Sequence, residues 1–189
     1  MNATDVVRQL LKALDRLTIP HMAVGSFSSN AWGEVRSTKD ADFVVNMGRV
    51  SATQLLAELG PGFLLDPQMT FETVTGTVRW RIRHPQSAFL IELFQLSDDP
   101  HDQMRFQRRI THDVGGQQAS IAAAEDVVIT KLRWSTNLGR TKDLEDIRGI
   151  LRVQHGLLDL KYIREWANIH GTRDVLESLL AEQAPEKNG

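Results

Sequence analysis

The sequence contains no cysteine among its 189 residues, which excludes disulfide bonds and thiolate metal sites. Any metal ion would be held by oxygen or imidazole ligands, and the oxygens of Asp and Glu favour hard ions such as Mg²⁺ or Mn²⁺. The formal net charge of −2 is small, which argues against binding of nucleic acid by bulk charge alone. Local basic clusters remain able to bind it, and the chain has such clusters.

The chain also lacks a long hydrophobic run. No apolar segment approaches the roughly 18 residues that a membrane span needs. The first residues, Met-Asn-Ala-Thr-Asp-Val-Val-Arg, show no basic patch followed by an apolar core. We therefore expect a soluble, cytoplasmic protein with no signal peptide and no membrane partner. Hydrophobic residues at 41% and charged residues at 24% indicate a folded chain, and the length fits one domain or a core with a helical appendage.

The first part of the chain alternates helical and strand-like patterns. An apolar stripe at helical spacing predicts a helix from Thr4 to Leu17, with Thr4 as its cap and Asp5 in its first turn. Short apolar or alternating runs predict strands, the last two of which form a hairpin around a turn at 84–87. The predicted strands are 21–24, 40–46, 71–83 and 88–96, and the further helices are 28–33 and 51–59.

After about Ser120 the pattern becomes helical throughout. Predicted helices follow one another at 122–134, 142–153, 160–170 and 172–184. We therefore predict an α/β (α+β) core of residues 1–120 with a short mixed sheet flanked by helices. A C-terminal helical region, residues 121–189, is expected to pack on this core.

A pair of carboxylates opens the second predicted strand. Asp40 and Asp42 are two residues apart, so their side chains point to the same face of the strand. Two carboxylates in that position repel each other unless a cation lies between them. Nucleotidyl transfer needs such an arrangement, because two divalent ions roughly 3.5–4 Å apart activate the attacking oxygen and stabilise the leaving phosphate.

Two further features are expected to lie near this pair. Glu92 stands within the apolar run 89–94, where a lone buried charge would be costly, so it is the candidate for a third metal-binding carboxylate. The alternative for Glu92 is a strand face open to solvent. Gly25 and Ser26 follow the first predicted strand. A glycine turn lets backbone N–H groups approach phosphate oxygens, and the serine hydroxyl adds a donor.

These features resemble the signature of the DNA polymerase β-like nucleotidyltransferase superfamily, which has a Gly-Ser or Gly-Gly turn, a spacer of about a dozen residues and Asp-x-Asp. The Arg-x-Thr-x-Asp-x-Asp form is most similar to the AbiEii-type and minimal nucleotidyltransferases, many of which belong to toxin–antitoxin or phage-defence systems. The resemblance covers roughly residues 20–150. The segments that carry it are Val24–Ser26, Arg36–Val45, Glu125–Leu132 and Arg140–Ile147.

The resemblance implies a nucleotidyltransferase fold and an enzyme that moves an NMP from an NTP to a hydroxyl of an RNA, a protein or a small molecule, with release of pyrophosphate. Asp40 and Asp42 would be catalytic and bind Mg²⁺ or Mn²⁺. Glu92 would stand where the family commonly has Asp. Lys131 would face the triphosphate. The residues implied to contact the nucleotide are Gly25, Ser26, Arg36, Thr38, Lys131, Asp143 and Asp146.

Each of the helical positions has a purely structural alternative. Lys131 could be an exposed helix residue. Asp143 and Asp146 could only pair with Arg140 or Lys142 along a helix, which contributes a few tenths of a kcal/mol. The chain as a whole has an alternative as well, a non-catalytic module with the same fold that binds a nucleotide or a partner protein. As a toxin, it would have an antitoxin as its partner.

Arginines form two further groups. Arg79, Arg81 and Arg83 would share one face of a predicted strand, because side chains alternate along it. Such a row is either a solvated face or a contact for triphosphate or for a nucleic-acid acceptor. The second group is Arg105, Arg108 and Arg109.

Overall fold

The computed structural model describes residues 2–113 and 116–183. Helices and strands are mixed in the first part of the chain, and only helices follow after Ile121 in the described residues. The first elements are α1 (Ala3–Arg16), β1 (His21–Val24), α2 (Gly25–Trp32), β2 (Asp40–Val45), α3 (Ala52–Leu59), β3 (Leu64–Leu65), β4 (Thr70–Glu72), β5 (Thr77–Arg83), β6 (Leu90–Gln95), α4 (Pro100–Gln107), β7 (Ile110–Asp113) and β8 (Gln118–Ile121). They are followed by α5 (Ala124–Leu138), α6 (Thr141–Val153), α7 (Leu160–His170) and α8 (Arg173–Glu182).

The chain divides into two units, one of residues 1–27 and 37–122 and the other of residues 28–36 and 123–189, so that helix α2 begins in the first and continues into the second. The position 184 at which the last predicted helix ends, and the rest of the predicted region up to 189, lie outside the described residues. None of the helices in the described ranges combines the length and the apolar character needed to cross a membrane.

The first unit contains one mixed sheet with β2 near its centre. Strand β2 is antiparallel to β1 and parallel to β6, and β1 is in turn parallel to β8. The outer pairs are antiparallel, with β5 beside β6, β3 and β4 beside β5, and β7 beside β8. The central strands are buried and consist largely of apolar residues, which is typical of strands covered on both faces.

Helix α1 shows why this sequence is helical. Its apolar stripe is buried, including Leu10, Leu11 and Leu14. The cap is Asn2, whose side chain accepts a hydrogen bond from the backbone of Asp5 at 2.8 Å, so the prediction of Thr4 as the cap was wrong. Asn2 is the cap because it forms a reciprocal capping box with Asp5, in which the side chain of each residue accepts a hydrogen bond from the backbone N–H of the other.

The predicted strand 71–83 is interrupted. Its residues form β4 and β5, joined by a turn that the Glu72 carboxylate closes by accepting hydrogen bonds from the backbone of Val74 at 2.6 Å and of Thr75 at 2.8 Å. Gly76 completes the turn with φ of +68°, a conformation that glycine adopts without strain. The β-branched residues that favoured a single long strand thus lie partly in a turn, because the local hydrogen bonds of Glu72 override strand propensity.

The second unit is helical in its C-terminal part. Gly139 follows α5 and Gly171 follows α7, both in the left-handed conformation that is common after a helix. The apolar faces of these helices are buried, and Ile147, Ile150 and Ile163 are fully inaccessible to solvent.

Candidate active site

The start of β2 carries the two carboxylates on one face. Strand register pairs Asp42 with Glu92 on parallel β6 and with Val24 on antiparallel β1. Paired residues on neighbouring strands share a face and the strands are about 4.8 Å apart, so Asp40, Asp42 and Glu92 lie on one patch of the sheet. Asp40, Asp42 and Glu92, which the sequence predicts to lie close together, are brought together by the strand register. Their catalytic and metal-binding roles stay predictions.

Gly25 lies directly against Asp42. It follows Val24, the register partner of Asp42, and turns the chain into α2 with φ of +59°. A Cβ atom at this position would be 2.0 Å from Asp42 Oδ2 and 2.9 Å from its Cγ. Glycine is therefore required both by the backbone conformation and by the space that the carboxylate occupies. Ser26, next in the same turn, is buried at 7% exposure.

We predict that Gly25→Ala lowers the free energy of unfolding by about 2–5 kcal/mol, from left-handed strain and from the overlap with Asp42. Gly48→Ala is the matched control, since Gly48 has φ of +55° and nothing within 4 Å of its added Cβ. It should lose only the strain component of about 1–2 kcal/mol. Urea denaturation of both variants measures the difference, and equal losses would show that Gly25 is not confined by Asp42.

The charge of Glu92 is compensated by arginines. Its Oε1 is 2.8 Å from Arg81 Nε and 3.7 Å from Arg79 Nη1, and the Glu92 side chain is 14% exposed. The sequence alone suggested that a lone acid in this apolar run needs a metal ion, but β5 supplies the compensating cations instead. Arg81 lies opposite Glu92 because β5 and β6 pair as an antiparallel hairpin. The alternating arginines of β5 thereby face the acid on β6.

Thr38 orients the first carboxylate. Its hydroxyl donates a hydrogen bond to Asp40 Oδ1 at 2.6 Å. This contact favours one orientation of the Asp40 side chain. A nucleotide contact of Thr38, which the resemblance implies, stays a prediction.

The remaining candidate residues form a buried cluster within the second unit. Lys131 Nζ lies 2.9 Å from Asp143 Oδ1 and 2.7 Å from Asp146 Oδ2. Arg36 donates two hydrogen bonds to the Asp146 carboxylate, from Nε at 2.7 Å and from Nη2 at 2.8 Å. Lys131 is 7% exposed, so the alternative of an exposed helix residue is wrong. Pairing of the acids only along their own helix is also wrong, because Lys131 belongs to α5.

Two further residues belong to this cluster: Ser29, which had no sequence signal, and Arg140, which the sequence offered as a helix partner of Asp143. The Ser29 hydroxyl is 3.4 Å from Asp146 Oδ2, and Arg140 Nε is 3.4 Å from Asp143 Oδ2. Burial by itself would raise the pKa of the Asp146 carboxyl, but the hydrogen bonds from Arg36 and Lys131 outweigh it and lower that pKa to about 2. Asp146 is therefore ionised at neutral pH and serves as the acceptor of both cations.

The carboxylates of the sheet patch are the candidate ligands for a divalent cation. Across residues 2–113 and 116–183, no group of three or more His, Asp or Glu side chains is arranged to hold a metal ion. Mg²⁺ is commonly bound by only one or two carboxylates, with substrate phosphates and water as the other ligands. Asp40 and Asp42 fit that mode. Glu92 contributes less to such a set while its Oε1 accepts from Arg81.

Two solved structures of the antibiotic-resistance factor ANT(2'')-Ia are similar to this chain. The crystal structure with adenylyl-2''-tobramycin is 12% identical, covers 90% of this chain and 98% of its own, and has a TM-score of 0.63. The solution structure is 14% identical, covers 95% and 93%, and has a TM-score of 0.58. The chain has the nucleotidyltransferase fold. This likeness confirms the predicted α/β (α+β) fold class. No family model matches the sequence, and a search of curated proteins gives no match.

Proposed function

We propose that this protein is a metal-dependent nucleotidyltransferase. It transfers an NMP from an NTP to the hydroxyl of an acceptor and releases pyrophosphate. The observation that carries the proposal is the pair Asp40 and Asp42 with Gly25 packed against it, in a chain with the nucleotidyltransferase fold.

The chain's own residues would bind and orient the substrates. Asp40 and Asp42 would hold Mg²⁺ or Mn²⁺, which when bound neutralises phosphate charge and activates the attacking oxygen. Gly25 and Ser26 would offer backbone N–H groups to phosphate oxygens, and the start of α2 favours an anion. Thr38 keeps Asp40 in place through its 2.6 Å hydrogen bond. Glu92 would be the third carboxylate of the site once a cation competes with Arg81 for it.

The proposal extends to the buried cluster. The resemblance supports a contact of Lys131 with the triphosphate, and it supports Arg36, Asp143 and Asp146 as residues near it. Ser26 would donate its hydroxyl to a phosphate oxygen. Within the cluster, the two acids fix the position of the Lys131 ammonium group.

A narrower assignment rests on the sequence form Arg36-x-Thr38-x-Asp40-x-Asp42, which supports the AbiEii-type group and a role as toxin or defence component with an antitoxin partner. Growth arrest on expression, relieved by the product of a neighbouring gene, would support this role. Normal growth at full expression of active protein would contradict it.

The test of the proposed activity is label transfer from each of the four NTPs to total RNA, total protein and tobramycin in the presence of Mg²⁺. We expect one acceptor class to become labelled, and EDTA to abolish the labelling until excess Mg²⁺ restores it. Labelling that is insensitive to EDTA would contradict metal dependence. Nucleotide binding without transfer to any acceptor would favour the non-catalytic module.

A further inference from the structure

A row of three arginines lies on the same sheet face as the carboxylate pair. Arg79, Arg81 and Arg83 alternate along β5, so the Cα atoms of neighbouring members are about 7 Å apart. Register pairs Arg81 with Glu92 on β6, and Glu92 with Asp42 on β2. The arginine row therefore runs alongside Asp42 at a distance of two strand spacings, about 10 Å.

The arginine row is fixed in place and carries excess positive charge. Arg79 and Arg81 both contact the single carboxylate of Glu92. Arg79 Nε also donates a hydrogen bond to Thr70 Oγ1 at 2.9 Å. The Arg79 and Arg81 side chains are 24% and 36% exposed, and Arg83 is exposed. One acid thus orients two guanidinium groups without neutralising the row.

The chemistry of this row selects an anionic ligand with repeated charges. The planar guanidinium group matches phosphate oxygens with paired hydrogen bonds. With Cα atoms about 7 Å apart along the strand, the long arginine side chains can reach successive phosphates of an extended single strand. A polycationic acceptor would be repelled by the same surface, and a protein with isolated phosphates would engage one arginine rather than the row.

We propose that the arginine row binds the phosphate backbone of a single-stranded RNA that is the acceptor of nucleotidyl transfer. This inference rests on the proposed function and names its acceptor. The RNA hydroxyl oxygen forms a bond to the α-phosphorus of the NTP, and the bond from that phosphorus to the bridging oxygen breaks. Pyrophosphate leaves with the bonding electrons, and the hydroxyl proton passes to solvent.

The binding step is tested without catalysis. A fluorescent oligouridylate of about 12 nucleotides is titrated into wild type, Arg81→Gln, Arg83→Gln and the control Arg49→Gln. Arg49 is exposed beyond the opposite end of β2 from Asp40. We expect each row variant to weaken binding and to reduce the slope of log affinity against log salt by about 0.7, with Arg49→Gln unchanged. Equal binding and equal slopes in all four proteins would overturn the inference.

The acceptor step uses label transfer to the same oligouridylate, to casein and to tobramycin. We expect transfer to the oligouridylate, with a raised KM for RNA and an unchanged KM for NTP in Arg83→Gln. Labelling of casein or tobramycin alone would overturn the RNA inference and leave the proposed function in place. RNA binding without transfer to any of the three acceptors would contradict both the RNA acceptor and the proposed transfer activity. Thermal unfolding of each variant confirms that the exchanged arginine has not disturbed the fold.

Discussion

Asp42→Asn is expected to reduce nucleotidyl transfer by at least about 10³-fold, which corresponds to about 4 kcal/mol of transition-state stabilisation. The substitution keeps the size of the side chain and removes the charge that would hold a divalent cation. Asp42 is the central acid of the patch. It is paired with Glu92 on β6 and with Val24 on β1, and Gly25 directly follows Val24. No neighbouring carboxylate can replace it from the same position.

The measurement compares initial rates of label transfer at several Mg²⁺ concentrations. Asp15→Asn is the control, since Asp15 is an exposed acid on α1 and its substitution removes the same charge. We expect Asp15→Asn to behave as wild type and Asp42→Asn to keep its unfolding midpoint while losing transfer. If Asp42→Asn retained activity within about tenfold of the control, the carboxylate pair would not be the metal site.

The position of this acid pair was predictable because it depends on local rules. Alternation along a strand places Asp40 and Asp42 on one face whatever the rest of the fold does. The glycine at position 25 was predictable for the same reason, as a turn residue after a short apolar strand. The contact of Gly25 with Asp42 was not predictable, because it depends on the pairing of Val24 on β1 with Asp42 on the neighbouring strand β2.

Side-chain partners from distant parts of the chain could not be predicted. The sequence suggested a metal ion as the reason for Glu92, whereas the register of β5 and β6 places Arg81 next to it. Arg36 and Asp146 are 110 residues apart in sequence, and no local pattern links them. Helix α4 was overlooked despite a usable signal, since Asp99 followed by Pro100 is a typical helix start.

The buried cluster of the second unit leads to the largest expected effect on stability. Lys131→Met removes the ammonium group that lies between Asp143 and Asp146 and keeps the apolar length of the side chain. Asp143 and Asp146 are 4% and 9% exposed, so the substitution leaves buried negative charge without its central cation. We expect a loss of about 3–5 kcal/mol in the free energy of unfolding at pH 7. The control Arg164→Met breaks an exposed pair with Glu177 and should change stability little.

The pH dependence of the stability lost in Lys131→Met shows whether the loss comes from the charges of the buried cluster or from a general disturbance of the fold. In wild type the folded-state pKa of Asp146 is about 2, below the ordinary aspartate value of 3.8. A depressed pKa contributes stability that is present above about pH 4 and is lost as the pH falls towards 2. Because Lys131 provides part of that depression, the difference between wild type and Lys131→Met should shrink over this interval. A loss no larger than that of Arg164→Met at pH 7, accompanied by weaker NTP binding, would instead assign Lys131 to the triphosphate rather than to the stability of the helices.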